Sequence, residues 1–130
     1  MPAYDRSLFD PPAPIARVTL RHPTSGATIS DVPMLLDTGA DDTLLPQAFI
    51  EQLGVRFDPN QGYELQGFDG NVSIARVVEV DLLFVRRAFK GRFLLIDQEW
   101  GLVGRDVLNH VSLLLDGVHL EWSEQKVIER

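Results

Sequence analysis

The chain is expected to fold as a single all-β domain, a closed barrel or a packed pair of small sheets with one or two short helices. Three observations carry that expectation. Apolar and polar residues alternate with period two along much of the chain, as in IARVTLRH from Ile15 to His22. Helical patterning is confined to two short stretches, with no strand–helix–strand rhythm. At 130 residues, 45% of them apolar, the chain suits one domain around one core.

Taken in order, residues 1–14 hold four of the eight prolines and end in DPPAP. They read as an extended arm ahead of a domain over 15–130, either a disordered tail or an arm that docks. IARVTLRH is the first strand of the domain, and PTSG turns the chain. ATISDVPMLLD is the second strand, with Pro33 marking an edge or a bulge. PQAFIEQLG predicts a helix, with Pro46 in its first turn, Phe49, Ile50 and Leu53 on one face, and Gly54 as its stop. Glycines 62, 67 and 70 punctuate a hairpin with its tip near GFDG, followed by a strand from about Ile74 to Val85. RRAFKGR reads as a turn and FLLID as a strand. GRDVLNH gives one or two helical turns with Val107, Leu108 and Val111 facing inward. SLLLDGVHLEW gives two short strands around Asp116-Gly117. There is no internal repeat.

Composition removes several function classes. Twelve Lys and Arg against nineteen Asp and Glu leave a formal charge of -7, which argues against nucleic acid and anionic membrane as partners. With no cysteine, disulfides, thiolate zinc sites and cysteine nucleophiles are excluded. No apolar run approaches the roughly 18 residues of a bilayer span. MPAYDRSLFD has no basic region followed by an apolar core, so no secretory signal is expected and the cytoplasm is the expected location. His22, His110 and His119 lack metal-ligand spacing. There is no Gly-x-Ser-x-Gly, and Gly62 and Gly67 are not followed by a P-loop lysine. Asp37, Asp41 and Asp42 do not have the spacing of a calcium loop. Neither metal nor cofactor is expected.

The chemistry concentrates in LLDTGADDTLL, residues 35–45. An apolar strand ends at Asp37, which sets its carboxylate at the rim of a core. Thr38 offers a hydroxyl to backbone groups. Gly39 permits close approach of another chain, or a positive φ. The same three residues are also common in plain turns. Context separates the readings. Asp-Thr-Gly-Ala lies between apolar pairs and runs on into Asp-Asp-Thr, and Leu102-Val103-Gly104-Arg105-Asp106 follows far downstream.

Together these motifs resemble the retroviral-type aspartic proteases, the retropepsins, over about Ile15 to Leu115. That family has Asp-Thr-Gly-Ala followed by Asp, a glycine-containing flap hairpin, and an apolar pair with Gly-Arg before a short helix. The resemblance implies a closed β-barrel, one half-lobe of an acid protease, active as a homodimer because the chain has a single Asp-Thr-Gly. It implies a polypeptide substrate and peptide-bond hydrolysis by water activated between two aspartates, one from each subunit. Asp37 is then the catalytic acid or base. Thr38 locks the two loops across the axis, and Gly39 receives substrate backbone. Ala40, Asp41 and Asp42 match substrate-binding positions, with solvated acids as the other reading of the two aspartates. Arg105, after Gly104, matches the arginine that pairs with Asp41, partly buried. The flap spans roughly Tyr63 to Ser73 with Gly67, Phe68, Asp69 and Gly70 at its tip, where Asp69 departs from the small and apolar residues of the viral pattern.

Two consequences are specific to this sequence. Alanine at 40 cannot donate the hydrogen bond that a serine there would give an ionised catalytic carboxyl, so a mildly acidic optimum of roughly pH 5 to 6.5 is expected. The ends also depart from the viral pattern, in which N- and C-terminal strands join in an intersubunit sheet. An intersubunit strand over Val118–Trp122 is expected instead, and the departure suggests a cellular or bacterial retropepsin-like protein more than a viral one. The rival in a different class is a non-proteolytic peptide-binding module on the same fold, gripping extended segments by strand pairing.

Overall fold

The computed structural model describes residues 2–57, 62–66 and 72–126, with backbone alone for 62–66 and 72–75. Ten strands and two short helices are found among them: β1 Tyr4–Asp5, β2 Ala13–Arg21, β3 Thr28–Leu36, β4 Leu44–Pro46, α1 Gln47–Leu53, β5 Gly62–Gln66, β6 Val72–Phe84, β7 Arg87–Ile96, β8 Gly101–Val103, α2 Arg105–Leu108, β9 Leu113–Asp116 and β10 Glu121–Glu124. No helix among the described residues is long and apolar enough to cross a membrane.

Six strands close a barrel in the order β2-β3-β8-β4-β7-β6, and β6 pairs back onto β2. Period-two alternation makes this possible. Val18 and Leu20 of β2, Val32 and Met34 of β3, and Val78, Val80 and Leu82 of β6 all point inward and are buried. Each large aliphatic side chain so buried contributes on the order of 1.5–3 kcal/mol before entropy is counted. Helix α1 closes one side through Ile50 and Leu53, and Gly54 ends it in the left-handed conformation (φ 78) with its N–H on the Ile50 and Glu51 carbonyls.

The crossing that shapes the site is the placement of β8. It lies between β3 and β4, parallel to the first (Leu36 opposite Val103) and antiparallel to the second (Leu44 opposite Leu102). Residues 37–43 must therefore arch over the end of β8 to connect its two neighbours.

Several elements differ from the sequence expectation. RRAFKGR is mostly strand. The β6–β7 turn is the two-residue loop Val85-Arg86, both at positive φ (45 and 63), and Gly91 lies inside β7 opposite Val80. Such a loop is ordinarily marked by Asn-Gly or Asp-Gly, so Val-Arg gave no signal for it. Pro33 is buried and pairs with Arg17, beyond the reach of β8, which meets β3 only at Met34–Leu36. At that point the far side of β3 is an edge, and the register of β2 and β3 slips nearby, between Val18 and Leu20. Residues 117–120 are turn, so no strand covers Val118–Leu120.

The N-terminal residues are paired within the chain. β1 lies antiparallel to the start of β2 (Tyr4 opposite Pro14), and Ala3 bridges Glu121. Phe9 meets Trp100 edge-on, with ring centroids 4.8 Å apart. β9 and β10 form a separate two-stranded ribbon whose Trp122 is buried and donates from its indole N–H to the Ile15 carbonyl at 3.0 Å. β5 pairs with β6 out to Gln66 opposite Val72, while Gly67, Phe68, Asp69 and Gly70 lie outside the described residues.

Candidate active site

The chain leaves β3 at Leu36, and the Asp37 N–H still continues the ladder, donating to the Val103 carbonyl at 3.0 Å. Asp37 is half-buried and thus fixed by a barrel strand rather than by a free loop. Its Oδ1 accepts the Gly39 N–H at 2.9 Å, and the Ala40 N–H donates to the Asp37 carbonyl at 3.2 Å. Gly39 is exposed, and its φ is not positive. The reason for glycine is room, because a Cβ there would stand 3.2 Å from the Asp37 carboxylate.

From the far side the loop is held by the segment after β8. The Arg105 N–H donates to the Ala40 carbonyl at 2.9 Å, and its guanidinium donates to the Thr38 carbonyl at 2.7 Å and to the Asp41 carboxylate. The Arg105–Asp41 ion pair is more open than expected: the Asp41 side chain is 80% exposed and that of Arg105 42%. Coulomb attraction in that setting is weak. The planar fork that reaches both a carboxylate and a carbonyl gives the contact its geometry. Asp42 and Thr38 are exposed. Gly104 is buried beneath the loop, and a Cβ on it would fall 2.6 Å from the Asp42 carbonyl group.

The sequence reading gave Thr43 and Asp106 no role, yet they join the two motifs. Thr43 is fully buried; its Oγ1 donates to Asp106 Oδ1 at 2.6 Å and its N–H to Oδ2 at 3.1 Å. The same hydroxyl accepts the Gly104 N–H at 3.0 Å. A signal was present: alternation puts Thr43 on the inward face with Leu45, and a buried hydroxyl there needs a partner.

Asp37, Thr38, Gly39, Ala40, Asp41 and Arg105 thus come together on one arch, with Asp42 on its rim and Gly104 below it. The tip residues 67–70 fall outside the described residues. The arch presents one half-buried carboxylate, held by a barrel strand and backed by exposed acids and one guanidinium.

A closed all-β barrel of this topology with an Asp-Thr-Gly arch belongs to the retropepsin-like class of aspartyl proteases, which are hydrolases. Residues 27–110 match the family described as "gag-polyprotein putative aspartyl protease", and the chain belongs to that family. It is 34% identical over 97 residues to the Pol polyproteins of equine infectious anemia virus, strain Wyoming and isolate 1369. That match takes in 73% of this chain and only 8% of each polyprotein. Among solved structures it is similar to the EIAV protease complexed with the inhibitor HBY-793, at a TM-score of 0.60 and 28% identity, over 75% of this chain and 86% of that one.

Proposed function

We propose that this chain is an aspartic endopeptidase that works as a homodimer. The observation that carries the reading is the Asp37 carboxylate, held at the end of β3 by the Val103 ladder bond and braced by the Arg105 and Thr43–Asp106 ties. One chain holds one such arch, so the reading requires the arches of two copies to meet at a two-fold axis.

Two carboxyls a few ångströms apart cannot both ionise easily, so the pair shares a proton and titrates as a unit. The ionised member takes a proton from a water molecule, whose oxygen attacks the scissile carbonyl carbon. The protonated member donates a hydrogen bond to the developing oxyanion. As the tetrahedral intermediate collapses, the C–N bond breaks and a proton passes to the leaving nitrogen. No covalent enzyme intermediate forms. Thr38 at the top of the arch serves the contact between the two loops, Gly39 and Ala40 the substrate backbone, and Asp41 the positioning of Arg105 and main chain.

The test is cleavage of a peptide library from about pH 4 to about pH 7, with wild type and Asp37→Asn side by side. Cleavage by wild type alone is the expected result. Silence from both proteins, in a sample shown to be dimeric, would overturn the protease reading in favour of a peptide-binding module. Equal cleavage by both would remove Asp37 from the chemistry.

A further inference from the structure

We infer that the open edge of β7, beside α2, takes an acidic, extended polypeptide segment as an added strand. As a second docking point for a substrate, this rests on the peptidase reading of the proposed function. The strand pairing itself does not, and it is tested apart from cleavage.

Backbone accounting defines the edge. On one side β7 pairs with β6, from Phe84 opposite Arg87 to Val77 opposite Leu94. On the other side β4 reaches only Leu94–Ile96. The Leu94 N–H donates to the Thr43 carbonyl at 3.4 Å, so the Leu94 backbone faces β4. Alternation along the strand turns the N–H and C=O groups of Ala88, Lys90 and Arg92 to that same side, where β4 no longer runs. Among the described residues no backbone group pairs with them there. All three residues are exposed.

The edge borders a cleft. A cavity of about 400 Å³ lies between it and the second helix, with Val107 and His110 on the far wall. That wall is fixed to the strand: the Arg87 guanidinium donates to the His110 carbonyl and lies 5.4 Å from the centroid of the Phe89 ring. The Phe89 and His110 rings stand 6.5 Å apart. Gly91 falls between Phe89 and Phe93 on this inner face, and a Cβ built on it would meet nothing within 4 Å. A glycine inside a strand often marks a close approach by another backbone, and the hollow over Gly91 has room for a side chain of the added strand.

Charge selects the occupant. Residues 86–92 hold four of the twelve Lys and Arg, and residues 82–96 contain no Asp or Glu. Arg86 is taken by Glu124 at 2.9 Å. Lys90 stands opposite Asp81, whose carboxylate already meets Arg21 at 2.9 Å, and Arg92 stands opposite Glu79. Asp106, on the cleft wall, has both oxygens bonded to Thr43. Around the edge, Arg87, Lys90 and Arg92 thus outnumber Glu79 and Asp106, in a chain of formal charge -7. Cations on an edge keep two copies of that edge from pairing, because like charges would meet. They admit a strand that sets acids opposite Lys90 and Arg92. Such a strand carries two acids on its outer face and, between them, an apolar residue directed at the hollow over Gly91. A substrate held there keeps its scissile segment at high local concentration.

The probe is a fluorescent peptide of about ten residues with Glu and Val alternating, and its anisotropy is followed with Asp37→Asn, which does not consume it. It should bind. A Lys-Val peptide, and the Glu-Val peptide N-methylated at its glutamates, should bind at least about tenfold more weakly, the first by charge and the second by loss of ladder donors. Lys90→Glu combined with Arg92→Glu, two exposed positions, should weaken the Glu-Val peptide by at least about tenfold. With wild type, joining the Glu-Val segment to a cleavable peptide should lower KM by about fivefold or more with kcat unchanged, and the double variant should erase that gain. Binding that ignores the Lys90 and Arg92 changes overturns the site, and equal binding of the N-methylated peptide overturns the strand pairing. A single-stranded oligonucleotide that binds the edge more tightly than the Glu-Val peptide also overturns it, in favour of a phosphate backbone. Edge binding without any cleavage by wild type would overturn the peptidase reading and leave the strand site standing; cleavage without edge binding would do the reverse.

Discussion

Thr43 and Asp106 hold each other across 63 residues of sequence through two hydrogen bonds, at 2.6 Å and 3.1 Å, and the Thr43 hydroxyl also takes the buried Gly104 N–H. This small network joins the arch that bears Asp37 to the helix that bears Arg105. Its two ends are Thr43, four residues beyond Asp-Thr-Gly on the same arch, and the Gly104-Arg105-Asp106 motif, so the pairing ties the second motif to the loop that carries the first.

Thr43→Val keeps the shape of the side chain and removes the hydroxyl. It leaves the buried Gly104 N–H without an acceptor and takes one donor from the Asp106 carboxylate. The expected cost is about 2–3 kcal/mol of unfolding free energy, with the denaturant slope unchanged. Denaturant unfolding followed by tryptophan fluorescence measures it, Trp122 being buried in the core. A change under about half a kcal/mol would show that the network does not brace the fold.

Arg105→Lys keeps the charge but loses the fork. One ammonium cannot follow both the Thr38 carbonyl and the Asp41 carboxylate in the guanidinium's geometry. Since the pair is open to solvent, stability should fall by no more than about 1 kcal/mol. Peptidase activity should fall by about tenfold or more, because the Thr38 end of the arch loses its anchor. Measuring Tm and kcat/KM on one preparation separates the effects, and a loss of stability without a loss of activity would contradict the positioning role.

Much of this was legible in the sequence, and the failures have physical causes. Period-two runs placed β2, β3 and β6, and the Pro46–Gly54 punctuation bounded α1 within a residue at each end, because local chemistry decides those features. Asp37 and Arg105 stood out because each lies in a short motif. The β6–β7 turn did not, since Val85 and Arg86 take positive φ through the pull of a long antiparallel pair and not through their own preference. The Thr43–Asp106 tie was half legible: alternation marks Thr43 as a buried hydroxyl in need of a partner, but not which partner. It depends on β8 slotting between β3 and β4, a tertiary choice that neither segment announces alone.

Ala40→Ser tests the acid chemistry. Ala40 follows Asp37 within one turn, its N–H on the Asp37 carbonyl. A hydroxyl there would add a hydrogen bond that favours the ionised form of the catalytic pair. Wild type is expected to peak at roughly pH 5 to 6.5, and the serine variant to move the acid limb of kcat/KM down by about half a unit or more. An unmoved limb would place residue 40 out of reach of the pair, and a wild-type optimum below about pH 4 would show that alanine does not set it.

The turn between β9 and β10 carries the clearest pH dependence. The Asp116 carboxylate meets the His119 ring nitrogen at 2.7 Å and accepts the His119 N–H at 3.1 Å. The hydrogen bond from His119 holds the Asp116 carboxyl below its ordinary 3.8, and the same bond, with the attraction of Asp116 behind it, holds His119 above 6.5. The signs run opposite ways. The Asp116 contribution to turn stability is present above 3.8 and is lost as pH falls through its lowered folded value. The His119 contribution is present below 6.5 and is lost as pH rises through its raised folded value. The turn is therefore best held between those ordinary values, across the acidic range in which the protease is expected to work. NMR titration should place His119 above 6.5 in wild type, and Asp116→Asn should bring it back toward that value. The same variant should lower stability at about pH 5.5 more than at about pH 8, because only the charged histidine ring gains the attraction of the Asp116 carboxylate. An equal loss at both values would show that the charged pair does not hold the turn.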